Sequence, residues 1–226
     1  MSTPLQPTAL PEPEPDPDER RSADPLLSLL ARGLEFWLRK RCEAVHDLEL
    51  HLEGSMAQAL RGQLQAVRLR ARKVVFQDWS LERVDLCSEP IQVRVGGLLR
   101  GQSVRLEQPF RVRGKVVLTG EGLSQSLASP AGRPLANHLG ERLLGVTPLE
   151  SVRLLEERLV LRAVTGPGGG LVQVETRVEI GPEGPQVCPL DGRAPLLLPM
   201  DEAIRLDRAE VRSGLLELGG EALVRP

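Results

Sequence analysis

The sequence predicts an α+β protein in which amphipathic antiparallel strands and a few short helices share one apolar interior. Three observations carry that reading. Phe110, Val112, Gly114, Val116 and Leu118 alternate with Arg111, Arg113, Lys115 and Val117, the period of two of a strand with one wet face. At Thr119 the period changes: Leu123 and Leu127 stand four apart, which is helical spacing, and Thr119 is a good N-cap. Most of the remaining chain repeats the alternating pattern.

Taken in order, Met1–Ala23 is rich in Pro and acids and is expected to be a disordered tail, with residues 24–226 forming one domain. Asp24-Pro25 reads as N-cap and first helical position of a helix running to about Val45. Leu26, Leu30, Leu34, Trp37 and Leu38 form its apolar stripe, and Arg39, Lys40 and Arg41 suit its C-terminal dipole. Leu48, Leu50 and Leu52 alternate with charged or polar residues as a strand. Ser55 and Gln58 form a capping box for a short helix stopping at Gly62. Val67, Leu69 and Ala71 begin the next strand, with Arg68, Arg70 and Arg72 opposite. A phase slip at Lys73-Val74-Val75-Phe76 predicts a bulge. A turn near Gln77-Asp78 leads to a strand over 81–87. Ile91, Val93 and Val95 form a shorter strand, and Gly96, Gly97 and Gly101 bracket a turn.

Beyond Pro130, residues 134–144 read as a helix with Leu135, Leu139 and Leu143 inward and Gly145 as its stop. Residues 151–164 and 171–180 read as a hairpin across glycine-rich 166–170. Residues 182–199, rich in Pro and Gly, read as irregular, and a last strand over 215–224 closes the sheet.

Composition narrows the function classes. The net charge is −2, with −3 in residues 1–23 and therefore −2 − (−3) = +1 in the rest, so no strong basic balance points to nucleic acid. Three Phe, two Trp and no Tyr leave Leu and Val to fill the core. Three widely spaced cysteines, 42, 87 and 188, fit a reducing compartment better than a disulfide framework. The N-terminus lacks an apolar signal-peptide core, and no apolar run approaches the ~20 residues of a membrane span. The expected location is cytoplasmic, with at most a peripheral membrane contact.

No catalytic constellation emerges. Gly122-Leu123-Ser124-Gln125-Ser126 lacks the second glycine of a nucleophile elbow and lies in a predicted helix. Glycines 166–170 lack the Lys-Ser/Thr of a phosphate loop. His46 and His51 have no further convergent ligands for a metal. Neither catalytic residues, metal nor cofactor are expected.

The segments WLRKRCEAVHDLELHLEGS (37–55), ALRGQLQAVRLRARKVVFQ (59–77), LERVDL (81–86), LLRGQSVRLEQPFRVRGKVVLT (98–119) and SLASP (126–130) resemble the bacterial LmeA-like phospholipid-binding family. The likeness spans about residues 26–226 and is strongest through 130. It implies a fold akin to the tubular lipid-binding superfamily: a long, curved antiparallel sheet wrapped around the N-terminal helix and short helices, with an apolar groove. It also implies phospholipid binding without catalysis.

Under that reading Leu48, Leu50, Leu52, Val67, Leu69, Val112, Val116 and Leu118 are the candidate groove lining. Phe36, Trp37, Arg39, Lys40, Arg41, Arg68, Arg70, Arg111 and Arg113 are candidates for meeting headgroups or an anionic membrane. The residues leave two alternatives open: the apolar faces enclose a groove for an acyl lipid, or they close into a filled core serving a scaffold or protein-interaction module. The basic strand faces likewise either meet phosphates or pair with acids such as Glu82 and Asp85 on neighbouring strands.

Overall fold

Residues 25–92, 107–166 and 168–225 are described by the computed structural model of the chain. The tail 1–23, the expected N-cap Asp24, Val93, Val95 and glycines 96, 97 and 101 lie outside the described residues.

Helix α1 (Pro25–Arg41) ends before the expected Val45 because Ala44 and Val45 already belong to strand β1 (Ala44–Glu53). Ser55 caps α2 (Met56–Leu60) through the expected reciprocal box with Gln58. Strands β2 (Gln63–Leu64), β3 (Ala66–Phe76), β4 (Trp79–Ser88), β5 (Ile91–Gln92) and β6 (Phe110–Thr119) follow. Thr119 then caps α3 (Gly120–Ala128), its hydroxyl accepting the Gly122 N–H at 3.0 Å. Helix α4 (Arg133–Leu139) continues into a wider π-type turn over Gly140–Leu144 and stops at Gly145 with φ 70°. The chain closes with β7 (Leu149–Leu155), β8 (Arg158–Val164), β9 (Leu171–Gly181), β10 (Gly184–Pro189), β11 (Leu196–Leu197), β12 (Ile204–Arg212) and β13 (Leu215–Val224).

The result is α+β, with antiparallel strands in a six-stranded sheet β1-β3-β4-β6-β13-β12, a five-stranded sheet β11-β10-β9-β8-β7 and the small pair β2-β5. Both large sheets are open rather than closed barrels. Register fixes which side chains share a face. In the six-stranded sheet Leu50 opposes Leu69, Leu69 opposes Leu86, Leu86 opposes Gly114, Gly114 opposes Gly220, and Gly220 opposes Leu206. These residues of all six strands therefore point to one side, whereas Val117 of β6 is buried on the opposite face. One end of the shared face is covered by α1, and the other by α3, α4 and the five-stranded sheet.

Four local expectations need correction. No residue is inserted at Lys73: Arg72 opposes Arg83 and Val74 opposes Leu81 without a register shift. Lys73 instead takes a φ of 48°, and Val74 joins Leu48, Ala71 and Val84 in one buried cluster. The strand expected over 151–164 is two, β7 and β8, turned at Glu156 with a φ of 40°. The stretch 182–199 is not irregular but supplies β10 and β11. Strand β12 escaped the alternating pattern because its pairing slips between Leu206 and Arg208, which breaks the period of two.

Candidate functional site

The main core forms where α3 and α4 lie between the two sheets. Thr119 starts α3 directly from the end of β6, so Leu123 and Leu127 come down over the sheet's apolar face. Two serines pin the helix. The Ser126 hydroxyl, wholly buried, donates to Gly122 O at 2.7 Å and accepts the Ser80 N–H of β4 at 2.8 Å. The Ser124 hydroxyl accepts the Val152 N–H of β7 at 3.0 Å. Glycines let these elements approach: a Cβ at Gly122 would lie 2.9 Å from Ser80 O, and one at Gly132 would lie 2.0 Å from Ser126 O.

Beneath this roof the packing does not close. A cavity of about 630 Å³ runs between Val112, Val116 and Leu118 of β6, Leu216 and Leu218 of β13, the leucines of α3 and α4, and Leu159, Leu161, Val178 and Val187 of the second sheet. Gly114 and Gly220 oppose each other on the inner face, so two adjacent positions contribute no side chain. Neither tolerates one: a Cβ at Gly114 would lie 2.4 Å from Asp85 O, and one at Gly220 would lie 2.2 Å from Arg205 O. Strand glycines commonly mark such close backbone approaches.

Aliphatic carbon dominates the lining, with Trp79 and Phe76 at one end and Met200 and Ile204 along the border. Phe76, Met200 and Ile204 are 41%, 40% and 42% exposed, so the cavity opens to the surface. Among the described residues, Glu221 is the one ionisable residue of the lining, and its carboxylate turns to Arg111 at 2.9 Å and Arg113 at 3.2 Å. At about 3.4 Å per residue, Val112 to Leu118 alone provides roughly 20 Å of apolar length.

The comparison with protein families meets this geometry. A model described as LmeA-like phospholipid-binding matches residues 22–221. The chain belongs to the LmeA-like phospholipid-binding family. Searches of curated proteins and of solved structures find no match.

In this LmeA-like chain, Val112, Val116 and Leu118 among the eight candidate lining residues face the cavity. Leu48, Leu50, Leu52, Val67 and Leu69 share their sheet face but lie away from it, at the end filled by α1. Leu52 and Val67 pack on Leu27 and Leu30, while Leu48 and Leu69 pack in the cluster reached by Leu38 and Cys42. Sequence reasoning missed Leu206, Ala209 and the Met200–Ile204 border, all lying on or beside β12.

Five cations of the LmeA-like chain's outer sheet face have acidic partners on neighbouring strands, whereas Arg72 stands opposite Arg83. Arg68 meets Glu53 at 2.7 Å and Arg70 meets Asp85 at 3.8 Å. Arg111 and Arg113 share Glu221, and Lys115 meets Glu217. The hydrogen bond from Lys115 holds the Glu217 carboxyl below the usual carboxylate range, and that from Arg113 does the same for Glu221. On α1, Lys40 Nζ stands 4.5 Å from the Phe36 ring centre and Arg41 stands 5.0 Å from that of Trp37. Arg39 reaches Leu48 O at 3.5 Å.

Ser124 and Ser126 serve as structural ties, and the glycine loop joins β8 to β9, with Gly169 N–H donating to Gly166 O at 3.0 Å. His46 lies 3.1 Å from exposed Asp47. Among the described residues, no three His, Cys, Asp or Glu side chains converge as a metal site, and no helix is long and apolar enough to cross a membrane.

Proposed function

We propose that this LmeA-like chain is a non-enzymatic phospholipid-binding protein whose inter-sheet cavity holds an acyl chain. The aliphatic cavity carries the reading, because among the described residues no charged side chain is turned into it to require a polar ligand. Its volume lies within the ~300–1,000 Å³ typical of small-molecule sites. The roughly 20 Å offered by β6 exceeds one leaflet's share, about 15 Å, of a ~30 Å hydrocarbon core. A phospholipid could thus bury a tail while its headgroup remains at the open border. Uptake and release then require transient contact with a membrane. The three free cysteines support a reducing compartment for this activity.

Chain length tests the mechanism. Each buried methylene contributes about 0.8 kcal/mol, close to fourfold in affinity. A fluorescent phospholipid should be displaced by lysophosphatidylglycerols of increasing length, about fourfold more strongly per methylene until the cavity is filled. Val116→Trp, projecting from the middle of the β6 lining, should abolish this binding with the thermal transition retained. Competition independent of tail length would sink the acyl-site reading.

A further inference from the structure

Of the chain's five aromatic residues, Phe36 and Trp37 lie in the later turns of α1, and Phe76 and Trp79 flank the β3–β4 turn. Phe76 and Trp79 oppose each other across the β3–β4 turn. Phe36 and Trp37 belong to the C-terminal half of α1, within about 8 Å of the helix end at a rise of ~1.5 Å per residue. That helix end is tied to the same turn. Glu43 N–H donates to Val75 O at 2.9 Å, and Gln77 N–H donates to Glu43 Oε1 at 3.2 Å.

Charge is sorted at this end as well. Arg39, Lys40 and Arg41 form the last turn of α1. Lys40 and Arg41 stack on Phe36 and Trp37, so the rings and cations occupy shared surface. Glu35 is the helix's one acid, and it is engaged at the sheet edge, where its Oε1 accepts the Leu50 N–H at 3.2 Å. Phe36 remains 62% exposed and Phe76 41%. An exposed ring beside cations suits the boundary between headgroups and acyl chains, where apolar burial and attraction to anionic lipid act together.

We infer that the α1 end and the β3–β4 turn form the docking surface for an anionic phospholipid bilayer. Phe36 enters the headgroup boundary, and Lys40 and Arg41 meet lipid phosphates. Because Phe76 and Trp79 also line the cavity, docking brings one end of the cavity against the membrane. The surface goes beyond the acyl-site reading and does not depend on what the cavity holds.

Co-sedimentation of the full chain with phosphatidylcholine vesicles, with and without phosphatidylglycerol, tests the inference. Binding should require phosphatidylglycerol and weaken with salt. Each basic residue at an anionic surface is worth about fivefold, so Lys40→Glu with Arg41→Glu should weaken binding at least ~25-fold. Phe36→Ala should weaken it independently of charge. Hydrogen exchange on vesicle addition should slow at 36–41 and 76–79. Unchanged sedimentation of the double variant, equal binding to pure phosphatidylcholine, or slowing confined to the 197–204 border would overturn the assignment. Displacement of the fluorescent phospholipid, measured on the same double variant in the absence of vesicles, should be unchanged, since neither residue lines the cavity. Loss of acyl binding only in Val116→Trp thus separates failure of the cavity from failure of the docking surface.

Discussion

The Ser126 hydroxyl satisfies two backbone groups on different elements at once, Gly122 O and Ser80 N–H, from a fully buried position. Ser126→Ala leaves the Ser80 N–H without its partner, at a cost of about 1–3 kcal/mol. Chemical denaturation should register that loss with an unchanged slope. Thiol chemistry provides a second test at this scale. Burial first, and then the Glu179 carboxylate, push the Cys188 thiol up to about 11, whereas Cys87 is exposed. Iodoacetamide near neutral pH should modify Cys87 well before Cys188, since the thiolate is the attacking form. Peptide mass spectrometry reads the order, and rapid early labelling of Cys188 would contradict its buried placement. Glu217 and Glu221 set a pH dependence. Their folded-state carboxyls titrate below the ordinary value of 4.5, so the unfolded chain takes up protons first as pH falls. Their stabilisation is present above that value and is lost on acidification through the folded-state values. Glu217→Gln with Glu221→Gln should flatten the fall in stability below about pH 5. An unchanged acid slope would mean that these ladders contribute nothing measurable.

At the scale of elements, α1 both covers the sheet's apolar face and blocks its edge. Strand β1 is an edge strand, and unpaired edge groups invite strand addition. Glu35 takes the Leu50 N–H and Arg39 reaches Leu48 O, so the helix occupies part of that edge. Glu35→Ala should therefore speed exchange of the Leu50 amide relative to those of β3, and equal protection would show that the contact is not maintained. The same element marks how far the sequence could be read. Leu30, Leu34 and Leu38 revealed an amphipathic helix, and alternation in β1, β3 and β6 revealed strands with one apolar face. Thr119 and Ser55 announced two helix starts through hydrogen bonds confined to a few residues. Register over long separations was not legible in that way. Leu48 and Val116 have the same pattern, yet one lies beneath α1 and the other beneath a void. The turn at Glu156 carries no Gly, Pro, Asn or Asp to announce it, and the slip beside Asp207 hid β12.

Across the whole molecule, one continuous apolar sheet face receives two different covers. Alpha-helical leucines fill one end, while at the other two sheets and two helices surround an unfilled aliphatic cavity that the opposed glycines of β6 and β13 help line. Outside, many basic and acidic side chains pair across strands, as in Arg68–Glu53 and Lys115–Glu217, while at the end of α1 Lys40 and Arg41 stack on Phe36 and Trp37. Membership of the LmeA-like phospholipid-binding family and an aliphatic cavity converge on a lipid ligand. Native mass spectrometry of the protein purified from its own host, followed by solvent extraction, tests that claim most directly. The account predicts a stoichiometric phospholipid adduct on the unmodified chain and its absence from folded Val116→Trp. An unmodified chain that emerges lipid-free, and stays so after incubation with phospholipid vesicles, would contradict it.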